Sequence, residues 1–160
     1  MMRRNKPKKL SRDELAEVVK NAPLVSIDLV VKNIRGEILV GLRKNEPAKG
    51  FWFVPGGRIL KAERIAEAFG RITYDELGIT PAFEDARFLG VFEHLYPNNF
   101  TESEDFGTHY VVLAYEIRTG EASLNLPDDQ HSEYKWLSKE SPENEPNVHP
   151  YTKAYFGWQR

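Results

Sequence analysis

Between Gly56 and Ile79 the chain holds residues whose types and spacing suit a phosphate and a hard metal ion. The Gly56-Gly57 pair lets the backbone turn sharply and exposes peptide groups free of side chains. Behind it, Glu63, Glu67, Arg71 and Asp75 recur at four-residue steps, with Glu76 beside Asp75, and on a helix that spacing puts the charges on one face. Carboxylate and carbonyl oxygens are the ligands Mg²⁺ prefers, and substrate phosphates complete its octahedron. A charge run taken alone is more often a solvated amphipathic face, here with a Glu67–Arg71 ion pair. Two further features could do chemistry. Asp28 stands among Val, Ile and Leu, where a carboxylate is costly unless a partner or ligand pairs it. Gln130-His131 lies in a polar stretch that reads by itself as a turn, yet a histidine there can accept a proton near neutral pH.

The elements that must position these groups follow from pattern. Ser11-Arg12-Asp13-Glu14 has capping-box spacing and opens a helix over 12–21, which Pro23 ends. Residues 24–32 and 37–43 read as strands joined by a turn at Arg35-Gly36, and 51–54 as a short aromatic strand that stops at Pro55. A helix is expected over 62–77, with Gly78 as its C-cap. Two long strands, 86–95 and 108–118, flank a polar loop, a kind of segment that often contacts ligand. A loop over 124–130, a short strand over 134–137 and a terminal helix over 150–158 complete the order. Phe51-Trp52-Phe53 is read as core and scaffold. The fold class expected is α+β, an α/β/α sandwich with a mixed sheet between helices.

The 160 residues suit one domain, 1–160, and 41% hydrophobic with 29% charged content is that of a globular chain. A net charge of -2 gives no reason to expect DNA or RNA as a partner. The basic cluster Arg3, Arg4, Lys6, Lys8 and Lys9 is read as a solvated, flexible arm over 1–10. Absence of cysteine excludes disulfides, thiolate nucleophiles and Cys-bound zinc. No apolar run approaches the ~18 residues that span a bilayer, and the N-terminus lacks a signal-peptide core, so no membrane association and a cytoplasmic location are expected.

The order Gly57, five residues, Glu63, seven residues, Arg71, then Asp75-Glu76-Leu77-Gly78-Ile79 resembles the Nudix box. It departs from the consensus at Ile72, where the family has a metal-binding Glu, at Thr73 in place of an aliphatic residue, and at Asp75 in place of Glu. A wider set of stretches is similar to the GDP-mannose mannosyl hydrolase subfamily, which shares the loss of that Glu. These are 23–28 (PLVSID), 51–58 (FWFVPGGR), 108–113 (THYVVL), 126–131 (LPDDQH), 147–149 (NVH) and 154–156 (AYF).

The resemblance implies a Nudix fold and Mg²⁺-dependent hydrolysis of GDP-mannose or a related GDP-hexose. Water attacks the anomeric carbon with inversion, and GDP leaves as a unit. It implies Glu76, Gln130 and the Gly56 carbonyl as metal ligands, His131 as general base, and Arg43 and Arg58 on the diphosphate. Asp28, Tyr110 and His94 fall near the sugar and leaving group, and a homodimer is implied. Arg71 is expected to orient acidic residues of its own helix, while His109 and His149 are read as structural or exposed. A conventional Nudix pyrophosphohydrolase attacking phosphorus stays open, because Asp75 keeps an acid beside Glu76. So does a nucleotide-binding domain without turnover, which the imperfect box would allow.

Overall fold

In the strand β1 (Leu24–Lys32), alternate side chains serve two different helices. Ile27, Leu29 and Val31 pack on one face with Ala68, Phe69, Ile72 and Leu77 of α2 (Ile65–Leu77). Val30 faces the other way, with Tyr155 and Phe156 of α3 (Pro150–Phe156). The sheet is therefore the middle layer of a sandwich, and the α+β class expected from the sequence is the class observed. The computed structural model describes residues 7–140 and 144–157. Arg3, Arg4 and Lys6 of the basic arm and Trp158 of the terminal helix lie outside the described residues.

Among the described residues the sheet has seven strands. They are β1, β2 (Ile38–Arg43), β3 (Trp52–Phe53), β4 (Gly56–Arg58), β5 (Arg87–Tyr96), β6 (Thr108–Arg118) and β7 (His131–Leu137). The path runs β3-β2-β1-β6-β5, with β4 paired to β1 and β7 to β2. Only the β1–β6 pairing is parallel, so the sheet is mixed.

The helix α1 (Arg12–Asn21) has the expected bounds, and Ser11 and Glu14 close the reciprocal capping box. Gly78 ends α2 with φ 68°, a left-handed cap, and a β-carbon there would also meet Asn125. The terminal helix stops at Phe156. Three boundaries near the site differ from expectation. The chain does not leave the sheet at Pro55, because residues 56–58 pair with β1 as β4. The helix begins at Ile65, which leaves Glu63 in the preceding turn, where its carboxylate accepts from the Leu60 N–H at 2.8 Å. Finally, β7 starts at His131, so this histidine belongs to a strand, whereas the sequence reads as a strand only from residue 134. In the arm, Lys8 bridges to Lys61 and its ammonium lies 3.3 Å from Glu14.

Candidate active site

The α3-facing side of the sheet brings the polar residues together. Asp28 opposes Gly56 and Ser26 opposes Arg58 across β1–β4, while Tyr110 opposes His94 across β6–β5. Directly opposed residues share a face, so these strands aim Ser26, Asp28, Arg58, Tyr110 and His94 into one space. Arg43 at the end of β2, Gln130, Tyr96 and Phe53 complete its walls. The cavity measures about 190 Å³, below the roughly 300–1,000 Å³ of pockets that enclose a whole drug-sized ligand. It can enclose one end of a substrate. Gly56 is required by this construction: a β-carbon there would sit 2.5 Å from the Ile27 carbonyl and 2.9 Å from Asp28 Oδ1.

The buried Asp28 has the partner its setting demanded. The Tyr155 hydroxyl donates to Asp28 Oδ2 at 2.6 Å. Burial pushes the carboxyl up to about 7, opposed by the Tyr155 hydrogen bond and the Arg43 charge. Burial holds His94 down to about 4, helped by nearby His149, so its ring is neutral at pH 7; its Nε2 is buried without a hydrogen-bond partner. Burial also raises Tyr110, against the pull of Arg43 and Arg58. Arg43 donates through Nε to the Pro47 carbonyl at 3.1 Å. That bond uses one of its five donors and orients the rest of the fork.

A second groove, on the α2 side, meets the cavity at Gly57, Arg58 and Gln130, and Arg71, Asp75 and Glu76 line it as well. Here the box charges have separate fates. Arg71 does not pair with Glu67. It grips Glu63 with two hydrogen bonds of 2.7 and 2.9 Å and donates to the Arg58 carbonyl at 2.8 Å, tying the turn before α2 to β4. Its contact to Asp75 is looser, at 3.7 Å. Glu67 caps the start of its own helix through the Arg64 N–H. Ile72 is 1% exposed, and its side chain lies 3.2 Å from where a Gly57 β-carbon would be. The position that carries a Glu in the consensus is here a packing contact.

Glu76 differs from all of these. Its Oε1 accepts from Gln130 Nε2 at 2.8 Å, while Oε2 is buried with no hydrogen-bond partner. Burial, with Asp75 and Asp129 nearby, raises it to about 7, against Arg43 and Arg71. A buried carboxylate oxygen without a donor fits a bound cation. The Gln130 amide oxygen and the Gly56 carbonyl, the other ligands expected, belong to the same hard class; Gln130 lines both spaces, and Gly56 lines the cavity. Among the described residues, no group of three or more His, Cys, Asp or Glu side chains could hold a metal ion by itself.

His131 lies apart from both spaces. Its ring rests against Gly41, where a β-carbon would clash at 2.5 Å. Gly41 shares a strand face with Leu39, which packs toward α2. The imidazole is 1% exposed, Nδ1 is 3.3 Å from the Tyr134 hydroxyl, and Nε2 has no partner. Burial and then the Arg43 charge hold it down to about 4, in its neutral, proton-accepting form.

Sequence reasoning missed Tyr96, Phe53 and Ser26 as cavity residues, and Tyr155 as the partner of Asp28. The alternation of β1 and β5 could have pointed to Ser26 and Tyr96, which share the faces of Asp28 and His94. Nothing local pointed to Tyr155, which is 127 positions from Asp28.

Comparison with known proteins shows the family and the fold. Residues 22–157 match the family model described as NUDIX domain. The chain is 41% identical over 143 residues to the low-salt glycan biosynthesis protein Agl8 of Haloferax volcanii, which covers 89% of this chain and 86% of that protein. Two solved structures share the fold. One is a MutT Nudix hydrolase from Burkholderia pseudomallei (TM-score 0.69, 23% identity, 88% of this chain and 100% of the other). The other is a MutT protein from Methanosarcina mazei (TM-score 0.66, 22% identity, 86% and 93%).

Proposed function

This chain belongs to the Nudix hydrolase family, and on that premise we propose that it hydrolyses GDP-mannose or a related GDP-hexose to GDP and free sugar, by attack of water at the anomeric carbon with inversion. One observation carries the reading. Of the box acids, Glu63 is consumed by Arg71 and the residue at 72 is a buried Ile, which leaves Glu76 as the buried carboxylate with an unpartnered oxygen. Attack at phosphorus in this family draws on a cluster of acids, whereas departure of a diphosphate needs its charge neutralised. Family members generally use a divalent metal such as Mg²⁺. Glu76, Gln130 and the Gly56 carbonyl would hold it here, and when bound it supplies charge neutralisation to the leaving diphosphate. The name of the Haloferax relative, a glycan biosynthesis protein, supports a nucleotide-sugar substrate.

In this reading Arg43 and Arg58 grip the diphosphate, where a guanidinium fork matches phosphate oxygens. The sugar lies in the cavity against Asp28, His94 and Tyr110. His131 is the general base: its Nε2 is neutral and unpaired, and the ring lies on the strand position directly across from Arg43. The ring is 1% exposed, so this role requires that water be admitted to it. The assembly is proposed to be a homodimer, supported by the apolar outer face of β5, where Phe88, Val91 and Leu95 are 52–60% exposed.

Turnover of GDP-mannose in ¹⁸O-water tests the reaction. Label in the hexose, with GDP as the nucleotide product, is expected. Release of GMP and a sugar phosphate would instead establish the second reading, attack at phosphorus, which the acids Asp75 and Asp129 beside Glu76 favour.

A further inference from the structure

The short helix α3 touches the cavity wall at two places that lie one helical turn apart. Tyr151 and Tyr155 stand at i and i+4 and so share a face of the helix. Tyr155 donates to Asp28 Oδ2 at 2.6 Å, in a buried contact. Tyr151 works on His94 in two ways. Its ring stacks on the imidazole with centroids 4.2 Å apart and planes 2° from parallel. Its hydroxyl donates to the carbonyl of the next residue, Leu95, at 2.8 Å and accepts from the Leu95 N–H at 2.9 Å. Those two bonds occupy the backbone groups of β5 on its free edge, beside the histidine.

The helix itself is anchored. His149 accepts from the Tyr151 N–H at 3.1 Å as N-cap, its own N–H donates to the Trp52 carbonyl at 3.1 Å, and Val148 bridges to Trp52. Phe51 and Phe53 flank the His149 ring at 5.1 and 5.3 Å. Asp28 belongs to β1 and His94 to β5, with β6 between them in the sheet. No sheet hydrogen bond connects these two residues directly, yet both are held from the same helix face.

We propose that Tyr151 and Tyr155 are paired positioning residues, through which α3 fixes His94 and Asp28 relative to each other at the sugar end of the cavity. Resting on the sugar-site reading above, this assigns a task to a helix that the reaction scheme leaves unused. A buried aspartate with one oxygen held at 2.6 Å presents its other oxygen in a defined direction, and a stacked imidazole cannot rotate freely. Misplacement of such groups by a fraction of an ångström to an ångström costs up to about 100-fold in rate.

The test compares Tyr155→Phe, Tyr151→Phe and Tyr151→Leu with the wild type. Product identity, kcat and KM are measured on GDP-mannose with Mg²⁺, and GDP affinity by calorimetry. Tyr155→Phe keeps the ring and loses only the bond to Asp28; kcat is expected to fall roughly 10- to 100-fold, with GDP affinity within about twofold because the arginine end is untouched. Tyr151→Phe keeps the stack and should fall less than Tyr151→Leu, which loses it. Equal losses of kcat and GDP affinity in all three would reveal a merely structural role and overturn the proposal. So would an undiminished kcat in Tyr155→Phe. The premise fails separately: if the wild type yields GMP, the reaction centre is at phosphorus, and variants that then retain full rate sink the tyrosine assignment too. If the wild type does not turn over GDP-mannose, its affinity is compared with that of GDP. A preference for GDP-mannose that disappears in Tyr155→Phe upholds the pair, and an unchanged ratio overturns it.

Discussion

Glu76 and Ile72 lie four positions apart on α2, both buried, and the chemistry of the site turns on their difference. Ile72 fills the space beneath Gly57, while Glu76 keeps an oxygen with nothing to bind. Neither outcome is a matter of residue type alone. Glu63 is as acidic as Glu76, but Arg71 saturates it, and its carboxyl is held below the usual range by those hydrogen bonds and the Leu60 N–H despite its desolvation. His131 poses the sharpest question at this scale: burial holds it to about 4, so it is neutral but a weaker base than the free imidazole expected from sequence, and it is enclosed in position. His131→Gln is expected to lower kcat by ~10²–10⁴-fold, the usual range for loss of a general base, with GDP affinity retained. Undiminished turnover would remove His131 from that role and direct attention to His94, which lines the cavity with an unpaired nitrogen of its own.

Among the elements, α3 shows how a brief segment acts beyond its length. Its seven residues could not form a stable helix alone, and its place depends on the His149 cap and on packing against β3. Burial, aided by Arg43, holds His149 down to about 4. Its folded pKa therefore lies below its unfolded value of 6.5, and the stability it contributes is present above pH 6.5 and lost as pH falls toward 4. His149→Asn keeps an N-cap acceptor and removes the titration. Urea unfolding between pH 4 and 6.5 should show a smaller loss of stability on acidification in this variant than in wild type. Parallel curves would mean that His149 is not buried in its neutral form.

On the scale of the molecule, the opposing titrations do not simply add. His94 and His131 share the sign of His149, whereas Asp28 and Glu76, raised to about 7, act in reverse: the stability of their protonated forms is lost as pH rises from about 4 to 7. The difference between variant and wild type is thus more informative than either curve. Beyond the single chain, β5 ends the sheet with Val91 and Leu95 60% and 59% exposed on the face away from the cavity. An apolar edge of this kind is normally covered. Light scattering should give twice the 18.4 kDa chain mass, and Val91→Lys with Leu95→Lys should halve it while leaving the fold intact. A wild-type mass of one chain would discard the dimer.

Local order was legible in the residues because local forces set it. The capping box marked α1, β-branched content marked β1, and Gly56-Gly57 marked a sharp turn of the backbone; each depends on neighbours within a few positions. The resemblance carried further, to seven residues that line one cavity: Asp28, Arg43, Gly56, Arg58, His94, Tyr110 and Gln130. Other features depended on distant pairing. Residues 56–58 look like the end of a strand until β1 is laid beside them, and the spacing paired Arg71 with Glu67 until the turn before α2 placed Glu63 within reach. The Tyr155–Asp28 bond and the enclosure of His131 beneath Gly41 exist only once the sheet has assembled and both helices have packed. The sequence determined which groups could do the chemistry. Tertiary structure decided which were left free to do it, because a carboxylate or imidazole is defined by what else reaches it.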